Sequence, residues 1–124
     1  MGKGEGKRVW IFPDGDLPEA EKKSGLEAHE ALMILNTSEK DAHIKLSFYF
    51  SDKNPIENVE QVVDAKRVKC IRMDHPQEIG GVKLPYRTQY AIRVESDVKV
   101  VATFGRLDTA SERMAFYTSA WYSY

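Results

Sequence analysis

The stretch from His29 to Asp52, HEALMILNTSEKDAHIKLSFYFSD, constrains this chain more than any other. Ile44, Leu46, Phe48 and Phe50 fall on one side of an extended backbone, and His43, Lys45, Ser47, Tyr49 and Ser51 on the other. That period of two marks a half-buried strand. Ala31 to Leu35 is apolar on both faces and reads as a central strand. Asn36 to Asp41 is a polar run with turn chemistry. The two strands are expected to pair as one long antiparallel hairpin. The face of Ile44, Leu46, Phe48 and Phe50 is expected to pack with Ile92 and Val100, and emptying the Phe48 site would cost about 3–5 kcal/mol.

The other segments suit the same architecture. Residues 1–7 are Gly- and Lys-rich and read as a frayed, disordered terminus. Arg8 to Phe12 is a short strand, stopped by the turn formers Pro13 to Pro18. Glu19 to Leu26 reads as a surface loop with room for one helical turn. Pro55 ends the long hairpin, because proline cannot donate to a central ladder. Ile56 to Val63 is a weaker strand near an edge. Lys66 to Met73 is a strand with Val68 and Cys70 on one face and Ile71 and Met73 on the other. A β-bulge that switches faces and a strand covered on both sides explain this equally. Asp74 to Arg87 reads as a long loop. Tyr90 to Val94 and Val98 to Phe104 read as a second hairpin joined at Glu95-Ser96-Asp97. Met114 to Tyr122 mixes helix and strand preferences. Thr109 or Ser111 could cap a helix, but the alternation of Met114, Phe116, Thr118, Ala120 and Tyr122 favours a strand. Many short strands between turn signals predict an all-β protein, an antiparallel β-sandwich of roughly eight strands. Residues 1–124 read as a single domain.

Composition narrows the function classes. Over 124 residues the net charge is -1, which offers no attraction to nucleic acid or a membrane surface. The single cysteine, Cys70, rules out an internal disulfide and fits a reducing cytoplasm. The amino terminus lacks the apolar run of a signal peptide, and no apolar run reaches membrane-spanning length.

No catalytic constellation stands out. His29, His43 and His75 lack metal-ligand spacing, and no metal or cofactor is expected. A hairpin could bring His29 and His43 together, but hydrogen-bonded or exposed histidines are the plainer reading. Cys70 sits on an apolar strand face, where a buried inert thiol is expected. Asp14-Gly15-Asp16 lacks the rest of a calcium loop and reads as a turn. Lys66, Arg67, Lys69 and Arg72 form a basic cluster that Glu57, Glu60 and Asp64 on a neighbouring strand could balance. Trp10, Phe12, Phe116, Tyr117, Trp121, Tyr122 and Tyr124 crowd the chain ends, which are expected to meet. One small sandwich cannot hide them all, which favours burial between copies.

Several segments resemble the family of the cyanobacterial sensory rhodopsin transducer. They are Trp10 with Gly15 to Pro18; His29-Glu30 leading into Ile34-Leu35-Asn36; Asp41-Ala42-His43; Tyr49 with Ser51-Asp52-Lys53 and Pro55; Ala65-Lys66-Arg67; and Arg106-Leu107-Asp108. They cover most of the chain in order, while Asp74 to Thr88 matches poorly. The resemblance implies a cytoplasmic, homotetrameric β-sandwich with a non-enzymatic role, a membrane receptor as partner, and a small-molecule ligand, sugars being one class. Carried over by position, it implies a ligand site of Trp10, His29, Glu30, Asn36, His43, Tyr49, Asp52, Arg106 and Asp108. Arginine and aspartate beside an aromatic face suit a polyol. The alternatives are an enzyme acting on a carbohydrate, for which Glu30, Asp52 and Asp108 are the available acids, and a purely structural interaction module.

Overall fold

A computed structural model describes residues 3–19, 22–23, 26–108, 115–118 and 122–124. Its longest element explains the architecture. Strand β8, Gln89–Asp108, belongs to both layers of an antiparallel sandwich. The first half of β8 lies between β1 (Lys7–Asp16) and β5 (Ala42–Phe50), with β10 (Tyr122–Ser123) and β6 (Ile56–Val63) at the edges of that layer. Its second half lies between β4 (His29–Asn36) and β9 (Ala115–Thr118), with β7 (Arg67–Arg72) beyond β4. Strands β2 (Lys22–Lys23) and β3 (Leu26–Glu27) form a separate small ribbon.

Strand β8 turns one face inward along most of its length. Tyr90, Ile92, Val94, Ser96, Val100, Ala102, Phe104 and Arg106 are all buried. The expected hairpin at Glu95-Ser96-Asp97 does not form, because this polar trio bends the strand instead of reversing it. Between Glu95 and Val100 the register with β1 slips, so a longer run of β8 faces Lys7–Val9. Ser96 Oγ accepts the Val98 N–H there at 3.3 Å, and Asp97 Oδ1 accepts the His43 N–H at 2.8 Å. These side chains satisfy main-chain groups that the bend removes from the ladder.

The hairpin expected of β4 and β5 does not form either. Strand β4 pairs with β7 and β8, and β5 with β6 and β8, so the 37–41 connection crosses between the layers. Asn36 closes this arch. Its Nδ2 donates to the carbonyls of Lys40 (2.7 Å), Val63 (3.1 Å) and Asp64 (3.3 Å), and its Oδ1 accepts from Ser38 N and Oγ.

The alternation read in β5 holds. Ile44, Leu46 and Phe48 are buried with Ile92 and Val100, while Phe50 is only partly covered. Pro13 does not end the first strand. β1 continues to Asp16 through a register shift between Phe12 and Gly15. Strand β7 keeps continuous register with β4, with no bulge; Ile71 faces the core and Val68 and Cys70 face out. Cys70 is thus exposed, not buried as expected. The Asp74–Arg87 segment is a loop containing one 3-10 turn, Pro76–Glu78. The chain ends do meet, since the Tyr124 N–H donates to Val9 O at 2.9 Å and Trp10 pairs with Ser123. Trp121, Met114, Thr109 and Ser111 lie outside the described residues.

Candidate functional site

Glu30 shares its face of β4 with Leu32 and Ile34, and this parity carries its carboxylate into the core. It has no exposed surface. A buried carboxylate must be paired or hydrogen-bonded to be tolerated. Two strands, β8 and β1, supply the partners. Arg106, directly opposite in register, donates Nε to Oε2 at 2.8 Å. Tyr90 donates its hydroxyl to Oε1 at 2.6 Å. The Asp16 N–H reaches both oxygens, at 3.2 and 3.0 Å. Arg106 then extends Nη2 to the Asp14 carbonyl at 2.9 Å.

Gly15 gives Tyr90 its place. A Cβ on Gly15 would stand 2.6–2.8 Å from the Tyr90 ring. Burial pushes the Glu30 carboxyl above its ordinary range, opposed by the hydrogen bonds of Tyr90, Asp16 and Arg106 and by the Arg106 charge. Burial also drives the Tyr90 hydroxyl well up, with the Glu30 charge adding to it. Tyr90 is therefore a fixed hydrogen-bond donor. One atom in this cluster is left over, because Asp16 Oδ1 is buried without a hydrogen-bond partner among the described residues.

The other expected site residues do not join this group. Trp10 is buried, stacks near Phe12 with ring centroids 6.4 Å apart, and donates Nε1 to Val100 O at 3.0 Å. It is a core residue. Asn36 is the arch closure described above. His29 opens β4 opposite Leu107, its Nδ1 2.7 Å from Glu27 O, while His43 lies near the bend of β8, beside Asp97. The two histidines therefore stand towards opposite ends of the second half of β8. Tyr49 is half-exposed on a shallow groove of about 170 Å³, shared with Pro13, Gln89 and Tyr90. Asp52 is exposed in the bend after β5. Asp108 ends β8 opposite Ala115, and its side chain lies outside the description. Of the nine, the described contacts bring together Glu30 and Arg106 alone.

A second charged cluster escaped the sequence reading. Arg72 was grouped with the basic strand, but its guanidinium bridges Glu27 (2.6 Å) and Asp74 (2.7 Å). Neither of those two acids lies on β6, where partners for the basic cluster were expected. His75 Nδ1 approaches Glu78 Oε2 at 2.6 Å. Burial pushes Asp74 up, but the Arg72 hydrogen bonds and charge outweigh it and hold the carboxyl below its usual range. Glu27, Asp74 and His75 alone among the described residues have ligand atoms close enough to share a metal ion. Arg72 already bonds both carboxylates, so the set does not suit a cation. The exposed Cys70 thiol is pushed up by partial burial and then by Glu78, against Arg72, which makes it a poor nucleophile.

A two-layer antiparallel sandwich, with one strand shared by both layers and a sealed Glu30–Arg106–Tyr90 core, defines a small β-domain. Residues 5–123 match the family model of the Anabaena sensory rhodopsin transducer, and the chain belongs to that family. Among solved structures it is similar to Thermotoga maritima 1070, at 30% identity and a TM-score of 0.78, covering 96% of this chain and 97% of that one. It is also similar to the Anabaena sensory rhodopsin transducer itself, at 29% identity and a TM-score of 0.73, covering 85% and 91%. None of the curated proteins matches this chain. Among the described residues no helix is long and apolar enough to cross a membrane.

Proposed function

We propose that the protein is a non-enzymatic signalling adaptor, a cytoplasmic homotetramer that relays a signal from a membrane receptor through protein contacts. The outer face of the second layer carries this reading. Val68, Leu35 and Val101 form one row across β7, β4 and β8, and Cys70, Met33 and Thr103 form the next. Val68 is 68% exposed, Leu35 40% and Val101 38%. Neither row contains a charge. The outer face of the first layer is the opposite, with Glu95, Lys45 and Glu60 in one row and Arg93 paired to Glu95 at 2.6 Å. An uncovered, uncharged sheet face marks an interaction surface. Family membership and the name of the Anabaena relative support a receptor as the partner.

The acids support the non-enzymatic part. Glu30 is committed to Arg106 beneath the surface, and Asp52 stands exposed in a bend. Glycoside hydrolysis needs two carboxyl groups flanking one bond.

The test is a photocrosslinking residue placed at Leu35 or at His43 in the native host. Crosslinks from Leu35 to one integral membrane protein, absent from His43 on the other layer, are the expected result. Equal or absent crosslinking at both positions would sink the receptor reading.

Small-molecule binding, with sugars as one class, is the second reading. The buried, unpartnered Asp16 Oδ1 favours it, because Asp16 pairs with Gln89 on the wall of the Tyr49 groove. A thermal-shift screen of polyols tests it, since a ligand at a hundred times its Kd stabilises by ~2.7 kcal/mol.

A further inference from the structure

We propose that the free edge of β7, with the groove beside it, docks an extended peptide strand that alternates acidic and aliphatic side chains. The inference rests on the adaptor reading and gives the partner its chemistry. Strand β7 pairs with β4 along one side, and among the described residues no strand lies against the other. Its main-chain groups on that side are open to a further strand over residues 68–70, while beyond them the Arg72 N–H already donates to Glu78 Oε1 at 3.1 Å. A groove of about 370 Å³ runs there, lined by Val62, Val63, Asp64, Arg67, Val68 and Lys69.

Alternation divides β7 into two chemistries. Val68 and Cys70 continue the apolar outer face. Arg67 and Lys69 share the parity of Ile71 and lie on the groove side, past the edge of the core. Lys66 adds a third cation just before the strand. The hydrogen bonds made by Arg67 and Lys69 go to main-chain carbonyls, not carboxylates. Arg67 Nη1 donates to Lys66 O at 3.0 Å, and Lys69 Nζ reaches across the gap to Val62 O at 3.2 Å. An incoming carboxylate would give both a charged acceptor, which makes a shorter and stronger bond.

The same charges select against a second copy. Two β7 strands laid edge to edge bring Lys66, Arg67 and Lys69 of both into one ladder, and like charges across strands repel. An acidic strand meets Arg67 and Lys69 with its carboxylates and extends the row of Val68 and Cys70 with its aliphatic side chains. Strand addition of this kind takes affinity from the main chain and specificity from alternate side chains. The groove offers aliphatic walls and no aromatic platform, so it does not suit stacked nucleotides.

The experiment titrates the intact protein with a short peptide alternating glutamate and valine. A lysine–valine peptide and a proline-interrupted glutamate peptide are the controls. Binding is read by calorimetry and by amide hydrogen exchange. The acidic peptide is expected to bind about ten-fold or more tighter than the basic one, to slow exchange within 68–70, and to lose binding when interrupted by proline. The double variant Arg67→Glu with Lys69→Glu should reverse the preference. The milder pair Arg67→Gln with Lys69→Gln should weaken the acidic peptide without gaining the basic one, and serves if the reversal fails to fold. Equal affinity for both peptides, protection outside β7, or dimerisation through β7 would overturn the proposal. Leu35 crosslinking without peptide binding would refute this site and leave the adaptor standing; peptide binding without membrane crosslinks would do the reverse.

Discussion

Tyr90 and Arg106 lie near opposite ends of β8, yet they hydrogen-bond the two oxygens of one carboxylate, Glu30, at 2.6 and 2.8 Å. A straight strand rises about 3.3 Å per residue and would hold the two some 50 Å apart. The bend at Ser96–Lys99 closes that distance, and Glu30 fastens the closed form. The carboxylate therefore locks one layer to the other and holds the end of β1 through the Asp16 N–H.

Removing one partner should cost more than removing both. Glu30→Ala leaves the buried Arg106 guanidinium and the Tyr90 hydroxyl without their acceptor, and is expected to destabilise by about 3–5 kcal/mol. Glu30→Leu combined with Arg106→Leu should cost clearly less, because no buried charge remains. Urea unfolding of the two variants measures the difference. A double variant at least as unstable as Glu30→Ala would show that the pair itself supplies the stability.

Acid should affect the two carboxylate clusters in opposite directions. Burial raises Glu30 above its ordinary 4.5, so the folded chain holds that proton more tightly than the unfolded one. Its contribution is fully present below about 4.5 and is lost as pH rises through the raised value. Asp74 is the reverse. Burial raises it, but Arg72 outweighs burial and holds it below 3.8, so its contribution is present above 3.8 and lost as pH falls through the lowered value. Unfolding at stepped pH should show wild type gaining on Glu30→Gln as pH drops from neutrality towards 4.5. It should lose ground to Asp74→Asn below 3.8. A Glu30 slope of opposite sign would mean that the Arg106 charge outweighs burial.

Alternation made the faces legible and left the partners hidden. Ile44, Leu46 and Phe48 announced the inner face of β5, but the same pattern fits a strand paired with β4 or with β6 and β8. What decides is Asn36, whose side chain bonds three carbonyls of other segments and turns an expected hairpin into an arch. In β8 the polar trio Glu95-Ser96-Asp97 looked like a reversal, because the hydroxyl and carboxylate that support a bend also support a turn. Glu30 was readable as a core residue from its parity with Leu32 and Ile34, and Arg106 from its parity with Ala102 and Phe104. The resemblance named both but could not say that they bond each other. His43 and Asp52 match the family by position and face solvent singly.

Gly15 should prove irreplaceable for steric reasons. A methyl group there meets three atoms of the Tyr90 ring closer than 3 Å, and the ring is itself enclosed by Phe48 and Phe104 at centroid distances of 6.4 and 6.5 Å. Gly15→Ala is expected to cost about 1–3 kcal/mol as the ring shifts and its bond to Glu30 lengthens. In a Tyr90→Ala background the same change should be nearly free. Thermal unfolding of the four proteins gives the coupling directly, and additive effects would locate the strain elsewhere.

The chain ends carry the last prediction, that the protein assembles as a homotetramer. Of the aromatics that crowd the termini, Trp10 and Phe12 are buried in the core. The side chains of Phe116 and Tyr117, like Trp121, lie outside the description. Tyr122 and Tyr124 remain on the surface, 63% and 56% exposed, with ring centroids 5.7 Å apart. They belong to the terminal segment that pairs with β1 on one side only among the described residues. A tyrosine pair on a free edge suits an interface between copies, where aromatics are enriched and edges are covered. Light scattering coupled to size exclusion should give four times the 14.1 kDa of one chain. Replacing both Tyr122 and Tyr124 by serine should lower that mass without unfolding the sandwich, since neither ring enters the core. A mass of 14.1 kDa that persists at high concentration would refute the assembly, and an intact tetramer in the double variant would move its interface away from β10.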